Sequence, residues 1–254
     1  MTKFFRKIRQ RLLSENKLSK YLIYAIGEIA LVVIGILIAL SVNNSNQKRI
    51  EQKTTNNYLE KINSNIKQNI NFSKTMLEFR NEHSANCNKV AELIIDKDFS
   101  NQSIFQSAIF SSLIERPINY DRDAFESLKN SGNLANIENS IIETALLEYY
   151  ELVDKIIKQE KNLEEFNNQM ELELVNNGFL TIWMNLDKEV HKDLTKQITN
   201  YTENLIKHPG HDNILMLLFR GGTNTTFLTG LYEEQVKSGM ALSQTIKDYI
   251  ILNK

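Results

Sequence analysis

The sequence predicts an all-α protein in which one N-terminal transmembrane helix is followed by an antiparallel helical bundle with two long helices. The 254 residues include only two prolines and nine glycines, about a third of average usage. β-Sandwiches and barrels need many such residues in their turns, so those folds are excluded. Residues 21–42 are almost wholly apolar, and the apolar residues beyond them recur at helical spacing. A hydrophobic content of 42% excludes a disordered tail.

Residues 1–20 form a basic segment with a net charge of +6, counted from lysines and arginines against acidic residues. Phe4, Phe5, Ile8 and Leu12 share one helical face. We therefore expect an amphipathic helix on the cytoplasmic leaflet, with its basic side chains against anionic lipid. The alternative is a flank that only sets topology. The remaining charge of −6 on residues 43–254 argues against a nucleic-acid partner.

Residues 21–42 predict a transmembrane helix, because 22 residues span about 33 Å. Seven basic residues precede this span, and four follow within residues 43–62. By the positive-inside rule the N-terminus lies in the cytoplasm, and residues 43–254 form a periplasmic domain of an inner-membrane protein. A cleaved signal peptide, with a site near Ala39-Leu40-Ser41, and a buried soluble helix are the alternatives. The long basic leader and long apolar span favour an uncleaved signal-anchor.

One face of the span collects its small and polar residues. Ala25, Glu28, Gly35 and Ala39 recur at spacings of three, four or seven residues. Small residues four apart let helix backbones approach closely, and a carboxylate in lipid is costly unless a partner buries it. This membrane stripe predicts a homo-oligomer or a contact with another membrane protein. Alternatively, Glu28 snorkels or is protonated, and Gly35 has no contact role.

The N-terminal part carries a resemblance to a known family. Residues 3–40, KFFRKIRQRLLSENKLSKYLIYAIGEIALVVIGILIAL, resemble the start of a family of uncharacterised single-pass inner-membrane proteins from Bacteroidota, described only as a domain of unknown function. Residues 124–134 and 147–150 also resemble that family. It often has Asn-Asn-Trp-Asn after the span, where this chain has Asn-Asn-Ser-Asn at 43–46. The resemblance implies an inner-membrane protein with a helical periplasmic part and supplies no catalytic residues.

The first half of the remaining chain predicts one long and one short helix. Residues 47–95 carry apolar residues at three-and-four spacing, typical of a bundle helix or of a coiled-coil stalk. Polar Ser73 and Arg80 fall on this stripe and weaken the two-stranded coil. A short helix near 103–115 is expected to end before Pro117, because a residue that precedes proline disfavours helix.

The second half predicts further helices separated by glycine and proline. Asp121 or Asp123 can cap a short helix that Gly132 ends in a left-handed conformation. A second long helix is expected from about residue 138 to Gly178. Further helices are expected at 182–206, 212–220 and 225–250, with Pro209-Gly210 and Gly221-Gly222 as the turns before the last two.

The sequence lacks the motifs of nucleotide-binding loops, serine hydrolases and zinc proteases. His208 and His211 could hold a metal, but a solvated loop explains them better because no further ligand has regular spacing. His83 and Cys87 lie one helical turn apart and are interpreted as packing residues. The single cysteine excludes an intrachain disulfide and a CxxC metal site. We therefore expect no metal and no cofactor.

The densest acid–base cluster is a tentative ligand region within residues 119–134, formed by Tyr120, Asp121, Asp123 and Glu126. The favoured function is a non-enzymatic, membrane-anchored domain that binds a partner or ligand. The first alternative is a hydrolase or transferase that acts on envelope material with these carboxylates as acid and base. The second is a sensory module that signals through a membrane partner.

Overall fold

The computed structural model describes residues 18–96, 98, 102–114, 116, 118–137, 140–178 and 207–252. Within these ranges all regular structure is helical, which confirms the all-α prediction. The predicted surface helix lies almost entirely, and the predicted helix at 182–206 entirely, outside the described residues. The helices are α1 (Leu18–Asp96), α2 (Gln102–Leu113), α3 (Asp123–Asn130), α4 (Ser140–Asn176) and α5 (His211–Leu252), with a 3-10 turn at Asn133–Asn136.

The chain divides into two compact units, Met1–Thr55 and Asn56–Lys254. In the first unit, α1 is long and apolar enough to cross a membrane, with a mean hydropathy of 2.6 over its most apolar window and none of that window buried. The large apolar side chains from Leu22 to Val42 are between 47% and 70% exposed. The predicted membrane span is therefore present as a helix with apolar side chains on all faces.

In the described part of the second unit, three long helices form the bundle. Leu59 of α1 packs in the same core as Ile142 near the start of α4, whereas Cys87 packs with Leu174 near the end of α4. The bundle part of α1 and α4 therefore run in the same direction. Ser243 of α5 meets Asn63, and Gly222 meets Ser84, so α5 runs antiparallel to both.

A return segment explains why α1 and α4 can be parallel. Ser111 on α2 lies beside His83, and Asp121 lies beside Asn69, so the chain from α2 to α3 retraces α1 in the opposite direction. The next long helix then starts again at the end of the bundle where Leu59 lies. The predicted short helix near 103–115 is confirmed as α2.

The bundle core contains mostly aliphatic and tyrosine side chains from the five helices that the structure describes, which matches the predicted apolar stripes. The apolar stripe of α1 packs against other helices of the same chain, as expected of a bundle helix. The largest fully buried side chains are Tyr149, Tyr150, Tyr232, Phe105, Leu59, Ile62, Ile66, Ile109, Leu128, Ile142, Leu146 and Ile156.

Two glycines end helices as predicted. Gly132 follows α3 with φ 75°, and Gly178 follows α4 with φ 82°. Both lie in the left-handed region, where a residue without Cβ has no steric penalty. Their backbone N–H groups donate to carbonyls of the preceding turn, Lys129 O and Val175 O.

The prediction of a turn at Gly221-Gly222 is wrong, because α5 continues through both residues without a break. Both glycines are buried where α5 crosses α1. A Cβ on Gly221 would lie 2.7 Å from Cys87 Sγ and 2.8 Å from His83 Nε2. The two glycines therefore allow a close helix approach, and the packing gained outweighs their cost of about 1 kcal/mol each inside a helix.

Candidate functional site

Asp121, from the tentative ligand region, attaches the return segment to α1. Asn69 Nδ2 donates to the Asp121 carbonyl at 2.9 Å, and the Asp121 N–H donates to Asn69 Oδ1 at 2.8 Å. The Asp121 carboxylate accepts from the Asn65 amide and from the Asp123 N–H, at 3.1 Å for the second bond. Because Asp123 begins α3, Asp121 satisfies an N–H that has no partner within the helix. The predicted cap is met only in part, because Arg122 holds the N-cap position without a side-chain capping bond and Asp121 bonds the first helical N–H from one residue earlier.

Tyr120 is a buried hydrogen-bonding residue. Its hydroxyl lies 2.6 Å from Ser73 Oγ, and its ring meets the Phe72 ring edge-on at 5.1 Å. Burial raises the pKa of the Tyr120 phenol above its usual value of about 10. The phenol therefore stays protonated at neutral pH, where it bonds Ser73 rather than transferring protons.

Glu126 lies in a surface ion-pair group with Arg122 and Asp154. Arg122 Nη2 donates to Glu126 Oε1 at 2.8 Å, and the same guanidinium bonds the Asp154 carboxylate on α4. These side chains are 33%, 37% and 53% exposed, in the order Arg122, Glu126 and Asp154. Pairs in such surroundings contribute about 1 kcal/mol or less to stability. Glu126 is thus held by a neighbouring cation.

Two of the predicted acids line a cleft between α1 and α3 with a volume of about 350 Å³. Its walls also carry a lysine ammonium, hydroxyl groups and a tyrosine ring. The Asn65 side chain lines the cleft, but its Oδ1 atom is enclosed and has no hydrogen-bond partner in the described part of the chain. The volume falls in the range of small-molecule pockets. Glu126 does not line this α1–α3 cleft. Its polar and aromatic wall consists of Tyr58, Lys61, Ser64, Asn65, Asp121, Asp123 and Ser127.

A buried ion pair that the sequence did not predict joins α1 to α4. Arg80 donates through Nε to Glu160 Oε1 at 3.1 Å and through Nη2 to Glu160 Oε2. Tyr232 of α5 donates its hydroxyl to Glu160 Oε1 at 2.6 Å. The side chains of Arg80 and Glu160 are only 10% and 5% exposed. The sequence does show an arginine and a glutamate on the apolar stripes of two helices. Their spacing of 80 residues does not indicate that the two side chains pair.

His83 and Cys87 lie beside this pair in the core. Cys87 Sγ is 3.6 Å from His83 Nε2, and His83 Nδ1 is 2.7 Å from Ser111 Oγ. Burial raises the pKa of the Cys87 thiol to about 11, so the thiol is protonated and a poor nucleophile at neutral pH. The packing interpretation of these two residues is supported, and no group of three metal-binding side chains occurs in the described ranges.

His208 and His211 form the turn that precedes α5. His208 Nδ1 accepts from the Gly210 N–H at 2.9 Å, and the His211 N–H donates to the His208 carbonyl at 2.9 Å. The His208 side chain is buried. The two histidines lie in a turn as expected, but the prediction of a solvated loop is wrong for His208, because its ring is buried and stabilises the turn that starts the helix.

The residues of the membrane stripe lie on the exposed surface of the first unit. Gly35 and Ala39 are exposed, and Ala25 and Glu28 are half-exposed. No atom lies within 4 Å of a Cβ placed on Gly35, so the surface at this glycine is open. The helix–helix contact predicted for these residues, with a second copy or another membrane protein, therefore stays a prediction.

This chain has no match among protein-family models, curated proteins or solved structures. The resemblance at residues 3–40 stays a prediction.

Proposed function

We propose that this chain is a single-pass inner-membrane protein whose residues 43–254 form a periplasmic helical domain that binds a partner or ligand without catalysis. The observation that carries the proposal is the exposed apolar surface of α1 from Leu22 to Val42. Each fully buried large apolar side chain contributes about 1.5–3 kcal/mol. A span with this many exposed apolar side chains is stable in lipid, which anchors the domain that follows it.

Charge supports the orientation. The excess of lysine and arginine before the span favours a cytoplasmic N-terminus, because basic flanks are retained on that side. The acidic charge of residues 43–254 fits a domain held away from the anionic leaflet.

Binding, rather than catalysis, is supported by the hydrogen bonds and the ion pair that the candidate carboxylates already make. Asp121 bonds Asn65 and Asp123, and Glu126 pairs with Arg122.

The α1–α3 cleft is the proposed ligand-facing surface of the domain. It combines a volume suited to a small molecule with the ammonium group of Lys61 and the carboxylate of Asp123. A hydrolase or transferase of this kind would need all three acids, Asp121, Asp123 and Glu126, to converge on one space. Glu126, which that alternative requires, bonds Arg122 outside the cleft. Signalling would instead require a second membrane protein.

Cysteine labelling in spheroplasts tests the topology. Thr2→Cys and Asn57→Cys introduce thiols on the two sides of the span, and the natural Cys87 is fully buried. We expect a membrane-impermeant maleimide to label Asn57→Cys in intact spheroplasts and Thr2→Cys only after lysis, with no labelling of the wild-type chain. The inverse pattern would overturn the orientation, and a mature chain that lacks residue 2 would overturn the uncleaved anchor.

Cross-linking in native membranes tests the membrane stripe. Glu28→Leu combined with Gly35→Leu should abolish cross-linked dimers or hetero-complexes, because leucine blocks close backbone approach and removes the carboxylate. Ile26→Leu combined with Ile34→Leu, on the opposite face of the span, is the matched control and should leave the products unchanged. Equal cross-linking in both double variants would refute a contact through Ala25, Glu28, Gly35 and Ala39.

A further inference from the structure

We propose that a small cavity between α1, α2 and α4 binds the carboxylate group of a small monocarboxylate ligand. The cavity has a volume of about 30 Å³, and its wall includes Arg80, Arg116, Ser111, Ser112, Glu160 and Glu164. It is separate from the α1–α3 cleft and does not depend on ligand binding there. The inference rests on the free donors of one buried guanidinium, on a second guanidinium at the wall, and on the size of the space.

Arg80 provides the donors. A guanidinium has five N–H groups, and two of those on Arg80 bond the Glu160 carboxylate. Within the described part of the chain, the other three have no protein acceptor. Arg80 as a whole is only 8% exposed, and none of its nitrogens is both enclosed and unpartnered. Arg80 Nη1, which has no partner, is therefore not enclosed, and we place its N–H groups toward the cavity that Arg80 lines.

Glu160 occupies only some of the N–H donors of Arg80. Its Oε1 atom accepts from both Arg80 Nε and the Tyr232 hydroxyl, and its Oε2 atom accepts from Arg80 Nη2. The carboxylate of Glu160 is thus held on one edge of the guanidinium. Arginine binds a planar carboxylate through a pair of parallel N–H groups, and a second edge of Arg80 remains for such a pair.

Arg116 supplies the compensating charge for an incoming anion. Its guanidinium carbon stands 3.5 Å from the centre of the Phe79 ring, and this cation–π contact fixes the side chain at the cavity wall. The charges of these guanidinium groups also act on the nearby His83 side chain. Burial lowers its pKa to about 4, and the charges of Arg80 and Arg116 contribute to the shift in that order. The wall also carries the carboxylates of Glu160 and Glu164, and Glu160 is already paired with Arg80, so Arg116 is the cation left to balance an incoming anion.

The size of the cavity selects a carboxylate. A single water needs about 10–15 Å³ of such space, so 30 Å³ accommodates two or three groups of that size. A carboxylate has three heavy atoms, whereas phosphate and sulfate have five. The side chains of Glu164 and Asn167 stand one turn apart on α4 at the cavity wall. There the exposed Glu164 carboxylate disfavours a second negative charge, which fits a monocarboxylate.

Acetate is the probe that tests this site. We expect saturation-transfer NMR on the purified full chain in detergent to detect acetate binding at pH 7.5, with acetamide at least about tenfold weaker because a hydrogen bond to a charged group is stronger. Arg116→Gln should weaken acetate binding about tenfold. The fold of the bundle should remain intact in this variant. Acetate should also raise the thermal midpoint of the wild-type chain relative to chloride at equal ionic strength.

Arg220→Gln is the matched control, because Arg220 also lies over an aromatic ring, Phe166 at 4.4 Å, but does not line the cavity. It should bind acetate as the wild-type chain does. Absence of saturation transfer to acetate in the wild-type chain would overturn the proposal, since water alone would then fill the cavity. Equal binding of acetamide, or equal weakening by Arg220→Gln and Arg116→Gln, would overturn it as well. None of these outcomes bears on the membrane topology.

Discussion

Replacing Glu160 with glutamine should lower the free energy of unfolding of the bundle by about 3–5 kcal/mol. The amide carries no charge, so the Arg80 guanidinium would remain buried without its counter-ion, at 10% side-chain exposure. The Tyr232 hydroxyl would also lose a charged acceptor. Chemical unfolding of the purified chain in detergent, followed by circular dichroism at neutral pH, measures the loss.

Glu165→Gln is the matched control on the same helix. Its carboxylate lies 3.9 Å from Lys161 Nζ, and the two side chains are 68% and 71% exposed. An exposed pair of this kind contributes about 0.5 kcal/mol or less. Replacing both Arg80 and Glu160 with methionine should cost less than Glu160→Gln, because no unpaired charge is then buried. A Glu160→Gln chain as stable as Glu165→Gln would contradict the importance of this ion pair.

Acidification should destabilise the bundle through His83. Burial, with Arg80 and Arg116 contributing in that order, lowers the pKa of His83 in the folded chain from 6.5 to about 4. The unfolded chain therefore binds a proton that the folded chain rejects between these two pH values. The contribution is fully present above pH 6.5 and falls as the pH drops toward 4, by roughly 3 kcal/mol in total.

The free energies of unfolding at pH 7.5 and 4.5, measured for the wild-type chain and for His83→Gln, test this linkage. Glutamine retains a polar side chain beside Ser111 and Ser112 but does not titrate. The carboxylates titrate in both proteins, so the difference between the two pH dependences isolates His83. We expect the variant to lose about 2–3 kcal/mol less than the wild-type chain on acidification. Parallel pH dependences would show that His83 does not titrate in this way.

The tentative ligand region was partly readable from sequence. The density of acids and a capping pattern pointed to residues 119–134, and Asp121 and Asp123 do line the α1–α3 cleft. The opposite wall, with Lys61 and Asn65, comes from α1 more than fifty residues earlier. No local pattern connects these residues. Glu126 shares the helix with Asp123 but bonds Arg122, because the guanidinium lies one turn away.

Patterns within a few residues determined the apolar helix that is long enough to cross a membrane, the helical content and the helix ends at Gly132 and Gly178. Hydropathy, capping and a left-handed glycine act over one or two helical turns, so they can be read from a single sequence. The tertiary structure decided the common direction of α1 and α4, the return of the chain along α1, and the pairing of Arg80 with Glu160. It also decided that Gly221 and Gly222 lie inside α5, because close packing against Cys87 and Asn88 outweighs the local preference of glycine for a turn.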